Sequence, residues 1–132
     1  MVSSNPSPKG MSKLRLLIVE DNKLFRQTLR ESLQKSFPEI AIEEAANGVD
    51  ALKRVDLFAP DLILMDIRLP GESGLGLTKK IKTIYPDIII FALTSYDSLE
   101  CREAASRYGA DRYIPKDSFK RVEELIKSYF KI

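Results

Sequence analysis

Short apolar runs alternate along this chain with longer stretches whose apolar residues recur every three or four positions. Leu14–Val19 is the first run and reads as a strand. Asn22–Phe37 follows, with Phe25, Leu29 and Leu33 at the spacing of one helix face and Asn22 as its N-cap. Ile40–Glu44 is a second strand, more polar and therefore placed near an edge. Gly48–Phe58 reads as a short helix and Leu62–Met65 as the third strand. Leu75–Ile84 is a helix expected to bury Leu77, Ile81 and Ile84 on one side. Ile88–Leu93 is a continuous apolar strand of the kind covered on both faces. Ser98–Tyr108 is a weakly amphipathic helix closed by Gly109. Arg112–Ile114 is a short strand, and Ser118–Phe130 a last helix with Val122, Leu125, Ile126 and Tyr129 inward.

Strict alternation of five strands with five helices predicts a parallel sheet with helices on both faces. In such sheets ligands bind beyond the carboxyl ends of the strands. The polar residues at those ends are therefore the candidate site. Glu20 and Asp21 follow the first strand, Asp66 the third, Thr94 and Ser95 the fourth, and Lys116 the fifth. Each has an ordinary structural use, as a helix-opening acid, a turn former or a solvated lysine. Three carboxylates on one rim, however, repel one another unless a cation joins them. Oxygen donors without His or Cys suit Mg²⁺, or Mn²⁺ in its place, rather than zinc.

Composition narrows the chemistry further. The 132 residues are 44% apolar and 30% charged, an ordinary globular balance. A net charge of +2 gives no reason to expect direct nucleic-acid binding or a membrane surface. No apolar run approaches the roughly 20 residues a membrane helix needs. The single cysteine, Cys101, fits a cytoplasmic setting and leaves no intrachain disulfide. Histidine is absent, which excludes a Ser-His-Asp triad and histidine-ligated zinc. Residues 1–12, rich in Ser, Pro and Gly, read as a disordered leader ahead of one domain over residues 13–132.

The segments "LLIVEDN", "DLILMDIRLPGESGL", "FALTSYDS" and "GADRYIPKDS" together closely resemble the receiver domain of two-component response regulators. The resemblance spans residues 13–132 and implies a flavodoxin-like, doubly wound, five-stranded (βα)5 fold. It implies that Asp66 is the phosphoacceptor and that Glu20, Asp21, Asp66 and the Arg68 carbonyl hold Mg²⁺. Thr94 is then the switch hydroxyl, Lys116 the lysine that meets the phosphoryl group, and Tyr113 the switch aromatic. The implied phosphodonor is a sensor histidine kinase or a histidine phosphotransfer protein, and the implied response surface is the fourth helix, fifth strand and fifth helix. That surface serves either a homodimer formed on phosphorylation or an output partner. Two positions depart from the usual pattern. Glu20 stands where Asp is common, and Asp117 follows Lys116 where many receivers have proline, which is similar to receivers of the LuxR/NarL type. A haloacid-dehalogenase-like aspartyl-phosphate hydrolase remains an alternative, although Arg68 replaces its second acid. A receiver-like binding module that works without phosphorylation is the other.

Overall fold

The computed structural model describes residues 13–132. The leader expected at residues 1–12 lies outside them. Five strands, β1 (Arg15–Val19), β2 (Ala41–Ala45), β3 (Leu62–Asp66), β4 (Ile89–Thr94) and β5 (Arg112–Pro115), alternate with five helices. These are α1 (Lys23–Ser36), α2 (Gly48–Phe58), α3 (Gly74–Ile84), α4 (Leu99–Arg107) and α5 (Phe119–Phe130). A two-residue antiparallel ribbon, Arg68–Leu69 against Glu72–Ser73, interrupts the step from β3 to α3. All five main strands pair in parallel, in the order β2-β1-β3-β4-β5. This is the flavodoxin-like doubly wound arrangement, and β2, the most polar strand, occupies an edge as its composition predicts.

Strand alternation sorts the core into two layers. Leu16, Ile18, Leu62, Leu64, Phe91 and Leu93 face one way and pack with Leu29 and Leu33 of α1 and Val122, Leu125 and Ile126 of α5. Leu17, Val19, Ile63, Met65 and Ile90 face the other way, against Ala51 and Val55 of α2 and Leu77 and Ile81 of α3. β3 is buried along its whole length because both layers cover it. By the same alternation Asp66 points to the side of α1 and α5.

Helix starts follow local chemistry. Asn22, Asn47, Ser73 and Ser98 accept the first free amides of α1, α2, α3 and α4 with their side chains. Two expectations change. Ile84 is 63% exposed rather than buried, because α3 ends there. Tyr85, the C-cap, turns back to bond Ile81 and packs on the core in its place. Ile88 is buried but precedes β4, its amide bonding to Tyr85 in the connecting turn.

Candidate functional site

The carboxyl ends of β1 and β3 lie side by side, since Val19 pairs with Met65. The residues after them, Glu20 and Asp66, are therefore neighbours. Both are buried, at 1% and 3% exposure, while Asp21 is exposed at the rim. Oxygens of the three carboxylates all lie within 4.8 Å of one another. The backbone fixes each acid separately. The Glu20 amide bonds to the Ala45 carbonyl at 3.0 Å, and Asp66 continues the ladder opposite Leu93. Asp66 Oδ1 accepts the Arg68 amide at 3.0 Å, which also ties the ribbon to the acid. Glu20 Oε2 accepts the Asn22 amide at 2.9 Å.

Lys116 enters from the end of β5. Its amide donates to the Thr94 carbonyl at 2.7 Å, so the lysine's backbone is set by the β4–β5 pairing. Its ammonium stands 2.6 Å from Glu20 Oε1 and 3.3 Å from Asp66 Oδ2. The first contact is a close charge pair. Among the described residues, buried Glu20 Oε1 has no hydrogen-bond partner of good geometry. Burial pushes the Glu20 carboxyl up, and the Asp66 charge adds to this, against the pull of Lys116 and the Asn22 amide. Burial works against the Lys116 charge, but Glu20 and Asp66 outweigh it and hold its pKa above the usual lysine value. Two acids share one ammonium, so the lysine is strongly held as a cation while Glu20 is under-compensated. Three carboxylates gathered within 4.8 Å of one another, with oxygen donors only, fit a hard divalent cation such as Mg²⁺.

Thr94 is buried at the end of β4. Its hydroxyl donates to the Tyr96 carbonyl at 2.7 Å and accepts the Tyr96 amide at 2.9 Å. Half-buried Tyr113 donates its hydroxyl to that same carbonyl at 3.0 Å. Arg102, which bonds both Asp97 oxygens at 2.9 Å, lies 5.1 Å from the Tyr113 ring centroid. A cavity of about 260 Å³ opens beside Thr94, Ser95, Pro115 and Lys116, between the loops that follow β4 and β5. Arg68 lies in the ribbon next to Asp66 with its side chain exposed.

All seven expected site residues thus lie at or beside one rim, Tyr113 reaching it through Tyr96. Two contributors escape sequence reasoning. Gly74 packs so tightly under β3 that a Cβ there would stand 1.9 Å from the Asp66 carbonyl oxygen. A glycine after a Pro-Gly turn gives only a weak signal of this. Phe25, which sequence assigns to the core face of α1, also places its ring 5.0 Å from the Lys116 ammonium. No helix among the described residues is long and apolar enough to cross a membrane.

Comparison with known proteins identifies the family. Residues 16–129 match the model of the response regulator receiver domain. The response regulator MprA of Mycobacterium avium is 36% identical over 113 residues, which are 86% of this chain and 48% of MprA. The chain therefore spans about half the length of the curated relatives it matches. A CheY-like receiver from Methanospirillum hungatei superposes with a TM-score of 0.82 at 30% identity, over 91% of this chain and 95% of that one. A response regulator from Burkholderia pseudomallei superposes with a TM-score of 0.77 at 30% identity, over 87% of this chain and 65% of that one. Its structure holds a phosphorylated aspartic acid, a calcium ion and citrate. The chain belongs to the response regulator receiver domain family.

Proposed function

We propose that this receiver is switched by transfer of a phosphoryl group from a partner's phosphohistidine to Asp66. The observation that carries the reading is the buried pair Glu20 and Asp66, sharing the single Lys116 ammonium at 2.6 and 3.3 Å. An Asp66 oxygen attacks phosphorus, a P–O bond forms as the P–N bond breaks, and the electron pair stays with the donor imidazole. Phosphoryl transfer asks mainly for positioning and charge neutralisation. β3 and the Arg68 amide aim the carboxylate. Lys116 reaches the incoming oxygens as a compact cation. Glu20, Asp21, Asp66 and the Arg68 carbonyl are the residues that would hold Mg²⁺, with Mn²⁺ as a substitute. When bound, that ion neutralises charge on the phosphoryl oxygens. The phosphorylated, calcium-bearing Burkholderia relative supports both assignments.

The response passes through one carbonyl. Tyr96 O accepts from both Thr94 and Tyr113. If Thr94 turns its hydroxyl to the phosphoryl group, the loop after β4 loses that bond and Tyr113 is free to follow it inward. This biases an existing two-state equilibrium over α4, β5 and α5, the face that then meets an output partner or a second copy. This chain has no histidine of its own to phosphorylate, and membership of the receiver family supports a sensor histidine kinase or histidine phosphotransfer protein as the donor.

Incubation with Mg²⁺ and acetyl phosphate tests the reading. A switch gains one labile phosphoryl group per chain. Sustained turnover of the donor would mark a hydrolase, and no incorporation would mark a module that works without phosphorylation.

A further inference from the structure

We propose that Phe25 is a positioning residue for Lys116, resting on the reading above that this ammonium meets the phosphoryl group. Lys116 Nζ lies over the Phe25 ring, 5.0 Å from its centroid, while Glu20 and Asp66 stand on the ammonium. The lysine stem is long and flexible, so two acids alone do not fix where its head sits. The ring closes one remaining side. An aromatic face attracts a cation through its quadrupole, and more so where water is partly excluded. It accepts no proton and carries no charge. It therefore holds the ammonium in place beside the acids without neutralising it or occupying the charge that an incoming phosphoryl oxygen needs. A further carboxylate in that place would do both.

The ring is itself held. Asn22 Oδ1 accepts the Phe25 amide at 2.9 Å, and the Asn22 amide donates to Glu20 Oε2 at 2.9 Å. One turn of chain thus places both the acid and the ring that flank the lysine. On the far side Phe119, three residues after Lys116, meets Phe25 edge-on, with centroids 5.7 Å apart and planes at 72°. Phe25 and Phe119 are half-buried against the α1–α5 core layer, so the wall is braced by the fold.

The test is the rate of phosphorylation of the full chain by acetyl phosphate at saturating Mg²⁺, read by intact-protein mass. Phe25→Leu keeps apolar bulk and removes the ring face. It is expected to slow incorporation about three- to tenfold, the range of a partly desolvated cation–ring contact. Phe25→Tyr keeps the face and should stay within about twofold of wild type. In a Lys116→Met background, Phe25→Leu should add less than about twofold, because a residue acting through the lysine has nothing left to position. Beryllofluoride affinity should follow the same pattern without any transfer step, and Phe25→Met replaces Phe25→Leu if thermal unfolding shows the latter to be misfolded. An equal penalty with and without the lysine, a Phe25→Leu rate equal to wild type, or a Phe25→Tyr rate as low as Phe25→Leu would overturn the inference alone. Failure of the wild type to take phosphate would overturn the site reading and this inference with it.

Discussion

Glu20 and Asp21 are adjacent in sequence but meet different surroundings. Glu20 is buried between the Asn22 amide and Lys116, and Asp21 stands exposed at the mouth. A hydrated cation would meet Asp21 at the exposed mouth, and buried Glu20 would act on it through water. Asp21→Ala should therefore weaken Mg²⁺ binding more than Glu20→Ala, in calorimetric titration at fixed pH. Equal affinity in Asp21→Ala and wild type contradicts the expected ligand set. Gly74 bears on the same site from below. A methyl group at 1.9 Å from the Asp66 carbonyl has backbone on that side and cannot be relieved by rotating a side chain. Gly74→Ala should cost about 1–3 kcal/mol in urea unfolding and slow phosphorylation, because relief requires the Asp66 peptide to move. An unchanged unfolding midpoint would show that α3 can shift instead. The identities of the acids, Thr94 and Lys116 were legible because polar residues at the ends of apolar runs stand out. Phe25 and Gly74 were not, because each role depends on what a distant segment brings against it.

Among the elements, β2 and α1 are joined by charge as well as by the apolar layer that Ile42 shares with Leu29 and Leu33. Glu44 accepts Arg26 Nε at 2.6 Å and Arg30 Nη1 at 2.5 Å, and Arg26 also bonds the Glu20 carbonyl at 2.8 Å. Burial works to raise the Glu44 pKa, but the two arginines outweigh it and hold it below the usual carboxylate value. The folded state therefore binds the Glu44 proton less readily than the unfolded chain. Its contribution is full above the unfolded pKa of about 4.3 and fades as pH falls through the lower folded value. Glu44→Gln should cost about 1–2 kcal/mol at pH 7, a gap that closes towards pH 3. A gap that persists in acid would assign the effect to packing. Element types were readable from periodicity, since apolar strand runs and three-to-four spacing describe different faces. Ile84 departs from its spacing because spacing does not show where a helix leaves the core, whereas Tyr85 as the C-cap does.

For the whole molecule, the site and the proposed response surface lie on connected parts of the rim. Thr94 and Tyr113 both bond the Tyr96 carbonyl just before α4, and Ala105 is the one buried side chain of that helix. Few apolar contacts hold α4 in place, so it belongs to the low-stability end of the fold, where conformational shifts concentrate. Phosphorylation should then move amide resonances across about residues 96–130 beyond the immediate site, with α1 largely still; changes confined to α1 contradict the proposed route. Parallel topology was legible from alternation, but the shared carbonyl was not, because it joins a loop to a strand end only after folding. Everything in this switch depends on Asp66 being the phosphoacceptor. The most direct test is intact and peptide mass measurement after treatment with Mg²⁺ and acetyl phosphate, wild type beside Asp66→Asn. One added phosphoryl group is expected on the wild type, mapped to Asp66, and none on the variant. Full labelling of Asp66→Asn, or a phosphoryl group mapped to another residue, would contradict it.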